Sequence, residues 1–112
     1  MNTTNQANKD CIEICWECRT ECIKTLYNHC LPMGGKNAES EHVKIMTDCI
    51  QACQTAADFM VRGSNLYMSE CVACADVCEA CAESCEKIGD EEMQRCAEVC
   101  RRCAKNCRDM SR

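Results

Sequence analysis

The stretch CVACADVCEACAESC, residues 71–85, places cysteines at positions 71, 74, 78, 81 and 85, in steps of 3, 4, 3 and 4. Steps of three and four gather side chains on one stripe of an α-helix, whereas a strand would send alternate residues to opposite faces. The alternation is that of the a and d positions that face a bundle core. At a rise of about 1.5 Å per residue, the stripe runs roughly 21 Å along the helix.

The same spacing recurs on both sides. Upstream, Cys11, Cys15, Cys18 and Cys22 follow steps of 4, 3 and 4, and Cys30 falls eight residues after Cys22, near the same face. Downstream, Cys96, Cys100, Cys103 and Cys107 again step by 4, 3 and 4. Between them, a cysteine-poor segment carries Cys49 and Cys53, with Ala56 at an in-phase position where another thiol is expected. The segments are related in spacing without forming a full internal repeat.

Punctuation divides the chain into four helices. Leu31-Pro32-Met33-Gly34-Gly35 and Gly63-Ser64-Asn65 are breaks, and Gly89-Asp90 combines a helix-ending glycine with an N-capping aspartate. Helices are expected over 8–30, 38–62, 66–87 and 91–110. Short connections make neighbours antiparallel, so the predicted fold is all-α, an up-down-up-down four-helix bundle with a Cys-lined core. A length of 112 residues is enough for one domain, 1–112.

The composition supports a thiol core. Leu, Ile, Val and Phe number 3, 6, 5 and 1, against sixteen cysteines. So few branched and aromatic residues cannot fill a bundle, and a protonated thiol behaves as a small hydrophobe. The formal net charge of -5 argues against nucleic-acid or anionic-membrane partners. No segment approaches the roughly 18 apolar residues of a membrane span. The polar start MNTTNQANKDC does not read as a secretory signal, so a cytoplasmic location is expected, where thiols stay reduced. Along the last helix, Glu91 with Arg95 and Glu98 with Arg102 have the i,i+4 spacing of surface ion pairs.

Reduced cysteine on this scale points to soft metal ions, with all sixteen thiols (Cys11, Cys15, Cys18, Cys22, Cys30, Cys49, Cys53, Cys71, Cys74, Cys78, Cys81, Cys85, Cys96, Cys100, Cys103 and Cys107) as candidate ligands. Thiolates select Cu(I), zinc or iron–sulfur clusters. Zinc wants four ligands in a tetrahedron, usually from knuckles and loops. Cu(I) accepts two or three sulfurs, which pairs on a straight helix can supply. The ferredoxin run C-x2-C-x2-C-x3-C-P is absent, and a dithiol oxidoreductase needs one exposed, low-pKa pair. No nucleophile–base pair suggests an enzyme. The expected function is sequestration of many Cu(I) ions, on the order of fifteen per chain if each sulfur bridges two coppers. A zinc or general soft-metal buffer is the alternative, with thiol redox or iron–sulfur electron transfer behind it. A copper chaperone or efflux system is the expected exchange partner.

The pattern resembles the cytosolic copper storage proteins, a four-helix-bundle family. The resemblance is carried by CIEICWECRTEC (11–22), HVKIMTDCIQACQTAADFM (42–60), CVACADVCEACAESC (71–85) and MQRCAEVCRRCAKNC (93–107). It implies Cu(I) storage in the bundle core, a homotetramer, and an entrance for copper among His and Met residues at one end. In this chain His42, Met46 and Met93 extend the stripes at the end that also holds Cys30, Cys85 and Cys96, and are the candidate entrance ligands. His29 is out of phase. Met60, Tyr67, Met68 and Met110 are expected to plug the other end. Trp16, beside the stripe, is expected in a helix or subunit contact.

Overall fold

The computed structural model describes residues 3–111. Its elements are α1 (Thr3–Thr25), a π-helical turn (Leu26–Cys30), a closing α-turn α2 (Leu31–Met33), a 3-10 turn (Gly35–Ala38), and the long helices α3 (Ser40–Val61), α4 (Tyr67–Ile88) and α5 (Glu91–Met110). The four long helices form the expected antiparallel bundle. Each packs beside its sequence neighbours and α1 closes the square against α5. The bundle measures 48 × 19 × 18 Å. No helix among the described residues is long and apolar enough to cross a membrane.

The connections follow their local chemistry. Gly89 ends α4 at φ 80°, with its N–H bonded to the Cys85 carbonyl at 3.0 Å. This left-handed position suits a residue without Cβ. Asp90 then caps α5, accepting the Met93 N–H at 2.9 Å. Together they turn the chain in two residues, which sets α4 and α5 side by side.

The first helix departs from expectation at both ends. It begins at Thr3, ahead of position 8, and Gln6 Nε2 donates to Asp10 Oδ1 at 3.1 Å across its first described turn. It also runs on through the turn expected to break it, because Leu31 and Pro32 are helical and the break falls at Gly34. Proline lacks an N–H, and its ring clashes with the carbonyl four residues back. The chain widens ahead of it into the π-turn, where the Leu31 N–H bonds to the Leu26 carbonyl. A helical bond resumes past the proline, from the Gly34 N–H to the Cys30 carbonyl at 3.2 Å.

The surface charges also pair differently. Arg102 meets Glu17 of α1, and Arg95 meets Glu92, so neither forms its expected i,i+4 pair. Arg101 reaches Glu86 at 2.8 Å and Arg108 reaches Glu79 at 2.7 Å, both on α4. Long arginines span the groove between antiparallel helices. Exposed pairs of this kind contribute little, because water and salt screen them, so the fold rests on its core.

Candidate metal centre

Every one of the sixteen cysteines is fully buried with a free thiol. The a and d stripes of the four helices meet on the bundle axis and fuse into one column of sulfur. At one end Cys11 and Cys107 are 3.9 Å apart, and Cys11, Cys71 and Cys107 form a three-thiol group. Along the column follow three groups of four: Cys15, Cys74, Cys103 and Cys107; then Cys18, Cys53, Cys78 and Cys103; then Cys18, Cys22, Cys49 and Cys100. In each group the sulfurs lie within 4.8 Å of one another. Each four-thiol group draws on at least three helices. Contacts run both along a helix, as between Cys74 and Cys78 at 3.8 Å, and across helices, as between Cys53 and Cys78 at 3.7 Å.

At the other end the sulfur column changes character. Met46 Sδ accepts from Cys81 at 3.7 Å and from Cys85 at 3.8 Å. Cys96 faces Cys22 at 3.9 Å. Cys30 sits 3.6 Å from His42 Nε2 and donates to Met93 Sδ at 3.9 Å. His42 is buried, and its Nδ1 is 2.8 Å from Ser84 Oγ, which fixes the ring so that Nε2 faces Cys30. The fold therefore brings the three candidate entrance ligands together with Cys30, Cys81, Cys85 and Cys96 at one end of the column.

The π-turn decides the place of Cys30. Eight residues of ideal α-helix would leave Cys30 about 80° past Cys22 at roughly 100° per residue. The wider turn takes up one residue's worth of rotation and returns Cys30 to the core line. The nearness of Cys30 to the stripe, read from its spacing, thus depends on a local distortion that spacing does not reveal.

His29, beside Cys30, faces away from the column. Its Nε2 lies 3.2 Å from both Asp90 carboxylate oxygens. Asn37, from the 3-10 turn, donates Nδ2 to Asp90 Oδ2 at 2.9 Å and lies 3.1 Å from His29 Nε2. This polar knot ties together the three chain segments that precede Cys30, His42 and Met93. Sequence reasoning missed Asn37 and Ser84, because each is defined only by what it touches in the fold. Asp90 was legible as an N-cap, but not as the centre of the knot.

At the Cys11 end the plug is partly as expected. Met60 is buried and its Sδ accepts from Cys71 at 3.9 Å, while Tyr67 and Met110 pack against the core. Met68 instead faces solvent, 45% exposed, because steps of 3 and 4 lead back from Cys74 through Cys71 to Tyr67. Ala56 occupies the core line between Cys53 and Met60 and is fully buried. Trp16 is 45% exposed and lines a surface groove with Ile12, Met60 and Val61.

Burial works against the thiolate form throughout the column, while hydrogen bonds between neighbouring sulfurs hold some thiols, such as Cys18 and Cys49, down and push others up. Burial, with the neighbouring Cys96 and Asp90, pushes the Cys30 thiol up to about 11. Hydrogen bonds to Cys103, Cys11, Cys15 and Cys71, with burial added, push Cys107 up. Burial pulls His42 below its ordinary value, leaving the imidazole neutral and its ring nitrogen available to a metal. Desolvation works against the Asp90 carboxylate, but hydrogen bonds from Asn37, the Met93 N–H and His29 outweigh it and hold the group below the usual carboxylate range.

A four-helix bundle with cysteine sulfur clustered along its axis defines a class of protein, the cysteine-lined helical bundles suited to soft metal ions. The chain belongs to the copper storage protein family, Csp, whose model matches residues 4–112. Among solved structures, it is 40% identical to a Nitrosospira multiformis protein, covering 95% of both chains with a TM-score of 0.90. It is 31% identical to the Cu(I)-bound copper storage protein BsCsp3, covering 95% of this chain and 99% of that one with a TM-score of 0.88. It is also similar to apo-Csp3 from Bacillus subtilis, at 30% identity over 97% and 96% of the two chains and a TM-score of 0.62. No curated protein matches the chain.

Proposed function

We propose that this protein stores Cu(I) in its core, with the sixteen cysteines as ligands and a capacity on the order of fifteen ions per chain. The observation that carries this reading is the unbroken column of buried free thiols. A bare thiolate in a dry core is costly, and one Cu(I) cancels one thiolate charge. Copper can therefore fill the column without accumulating charge, releasing about one proton for each ion and each thiol consumed. Membership of a copper storage family and likeness to a Cu(I)-bound relative support the same reading.

Ions enter at the end formed by His42, Met46 and Met93. Thioether and imidazole hold Cu(I) less firmly than thiolate, which suits capture and hand-over to Cys30, Cys81, Cys85 and Cys96. The protein works in the cytoplasm, where the thiols stay reduced, as a single domain and a homotetramer, exchanging copper with a chaperone or efflux system. It is a store and not an enzyme. Anaerobic Cu(I) titration against a competing chelator, with metal analysis of the loaded protein, tests the proposal. Saturation near fifteen equivalents is expected, and saturation at one to four equivalents would overturn it.

A further inference from the structure

The spacing of cysteines on straight helices argues against zinc, because pairs on one helix cannot wrap a tetrahedron. The fold removes that objection. Cys18 and Cys22 of α1, Cys49 of α3 and Cys100 of α5 converge on one point, all four sulfurs within 4.8 Å of one another. Cys49 lies 3.9 Å from Cys18 and 3.9 Å from Cys22. Cys100 lies 3.9 Å from Cys18, 3.7 Å from Cys22 and 4.0 Å from Cys49. Five of the six edges are thus nearly equal, and the sixth joins the i,i+4 pair Cys18 and Cys22. A regular tetrahedron of such edges has its centre about 2.4 Å from each corner, against about 2.3 Å for a zinc–thiolate bond.

The geometry points to a preformed tetrahedral tetrathiolate site for a divalent d10 ion, Zn(II) or Cd(II), at Cys18, Cys22, Cys49 and Cys100 of the copper-free protein. This goes beyond Cu(I) storage, since it concerns another ion held in another geometry. Binding converts one M(II) and four thiols into an M(SR)4 centre with two net negative charges, and four protons leave to solvent. Neighbouring thiols can donate to that charge: Cys78 lies 3.7 Å from Cys49 and Cys96 lies 3.9 Å from Cys22.

Charge also limits how many such ions fit. A second four-thiol group shares no residue with the first, namely Cys15, Cys74, Cys103 and Cys107, while the third group overlaps both. Each divalent centre leaves a buried double negative charge that the apolar surroundings cannot offset further. Divalent loading therefore stops at about two ions per chain, far short of the sulfur count. Cu(I) carries no such residue of charge and displaces the divalent ion as the column fills.

The test is anaerobic titration of the metal-free full-length protein with Co(II), a spectroscopic probe for tetrahedral thiolate sites. The intense d–d absorption of tetrahedral tetrathiolate cobalt is expected to grow to two equivalents and to be bleached by Cd(II) or Zn(II). Cys49→Ser and Cys100→Ser, each present in the first group alone, are each expected to lower saturation to one equivalent. Far-UV circular dichroism checks that both variants stay helical, and either one alone suffices. A weak octahedral spectrum from the unaltered protein would overturn the inference, as would two equivalents retained in either folded variant. Cu(I) titration of the same sample separates the outcomes: a chain that fills with Cu(I) yet gives no tetrahedral cobalt spectrum is a store without this divalent site.

Discussion

The Cys30 sulfur lies 3.6 Å from His42 Nε2, joining the end of the π-turn to the first turn of α3. Two local features produce that contact. The π-turn ahead of Pro32 rotates Cys30 onto the bundle axis, and the Ser84 hydroxyl, 2.8 Å from Nδ1, holds the His42 ring toward it. The pair sits where thiol-only packing gives way to mixed sulfur and nitrogen donors.

Replacing His42 tests whether ions pass this point. His42→Ala is expected to slow Cu(I) uptake about tenfold, the scale on which ligand-shell changes act at metal sites, while capacity falls by no more than about one ion. Stopped-flow measurement of Cu(I)–thiolate absorption gives the rate, and titration the capacity. Unchanged uptake would mean that copper enters elsewhere.

Ala56 is the gap in the sulfur lining of α3, on the core line between Cys53 and Met60. Ala56→Cys is expected to raise Cu(I) capacity by about one ion, since the count follows the thiols. Adding a sulfur to a fully packed position costs about 1–3 kcal/mol in the empty protein. Titration together with thermal unfolding of apo and loaded forms checks both effects. A capacity equal to that of the unaltered protein would show that this level of the column does not take copper.

Alkaline pH should loosen the empty bundle. The Cys30 thiol is raised to about 11 in the folded protein, above the ordinary value of 9.0 that it regains on unfolding. Its contribution to stability is complete below pH 9.0 and is lost as pH rises through about 11, because the unfolded chain gives up its proton first. Circular dichroism of apo protein across this range should show falling stability. The Cu(I)-loaded protein, whose thiols have already given up their protons, should hold its structure further into the alkaline range.

The knot around Asp90 gives a fourth test. Asp90→Ala removes the α5 N-cap, worth about 1 kcal/mol, and leaves the buried Asn37 amide without its carboxylate, worth about 1 kcal/mol more. Thermal or urea unfolding should show a loss of about 2 kcal/mol, with a smaller loss for Asp90→Asn, which can still cap. Asp90 sits below the usual carboxylate range, so its contribution is present above the ordinary carboxylate value and is lost as pH falls through the folded-state value. A pH dependence unchanged in Asp90→Ala would contradict that account.

The legible parts of this protein are those governed by helical period. Steps of three and four at Cys71 to Cys85 place those side chains on one face whatever lies opposite, and the scarcity of branched residues leaves that face to form the core. The helices, their antiparallel order and the burial of all sixteen thiols follow, as does the in-phase gap at Ala56. The parts that escaped reading depend on a break in the period or on a neighbour. The π-turn that carries Cys30 to its expected place left no mark in the spacing, Met68 misses the column at the start of α4, and Asn37, Ser84 and the knot around Asp90 act through distant partners.

Sequence alone therefore determined which face of each regular helix lines the axis, since periodicity is a property of each helix by itself. Only the tertiary structure decided which sulfurs share a site, since that depends on the axial register and rotation of one helix against another. Cys18, Cys22, Cys49 and Cys100 become one tetrahedral group because three helices present those residues at the same height. A one-dimensional pattern records the face of each residue but not its level against the neighbouring helices, and metal geometry is set by both.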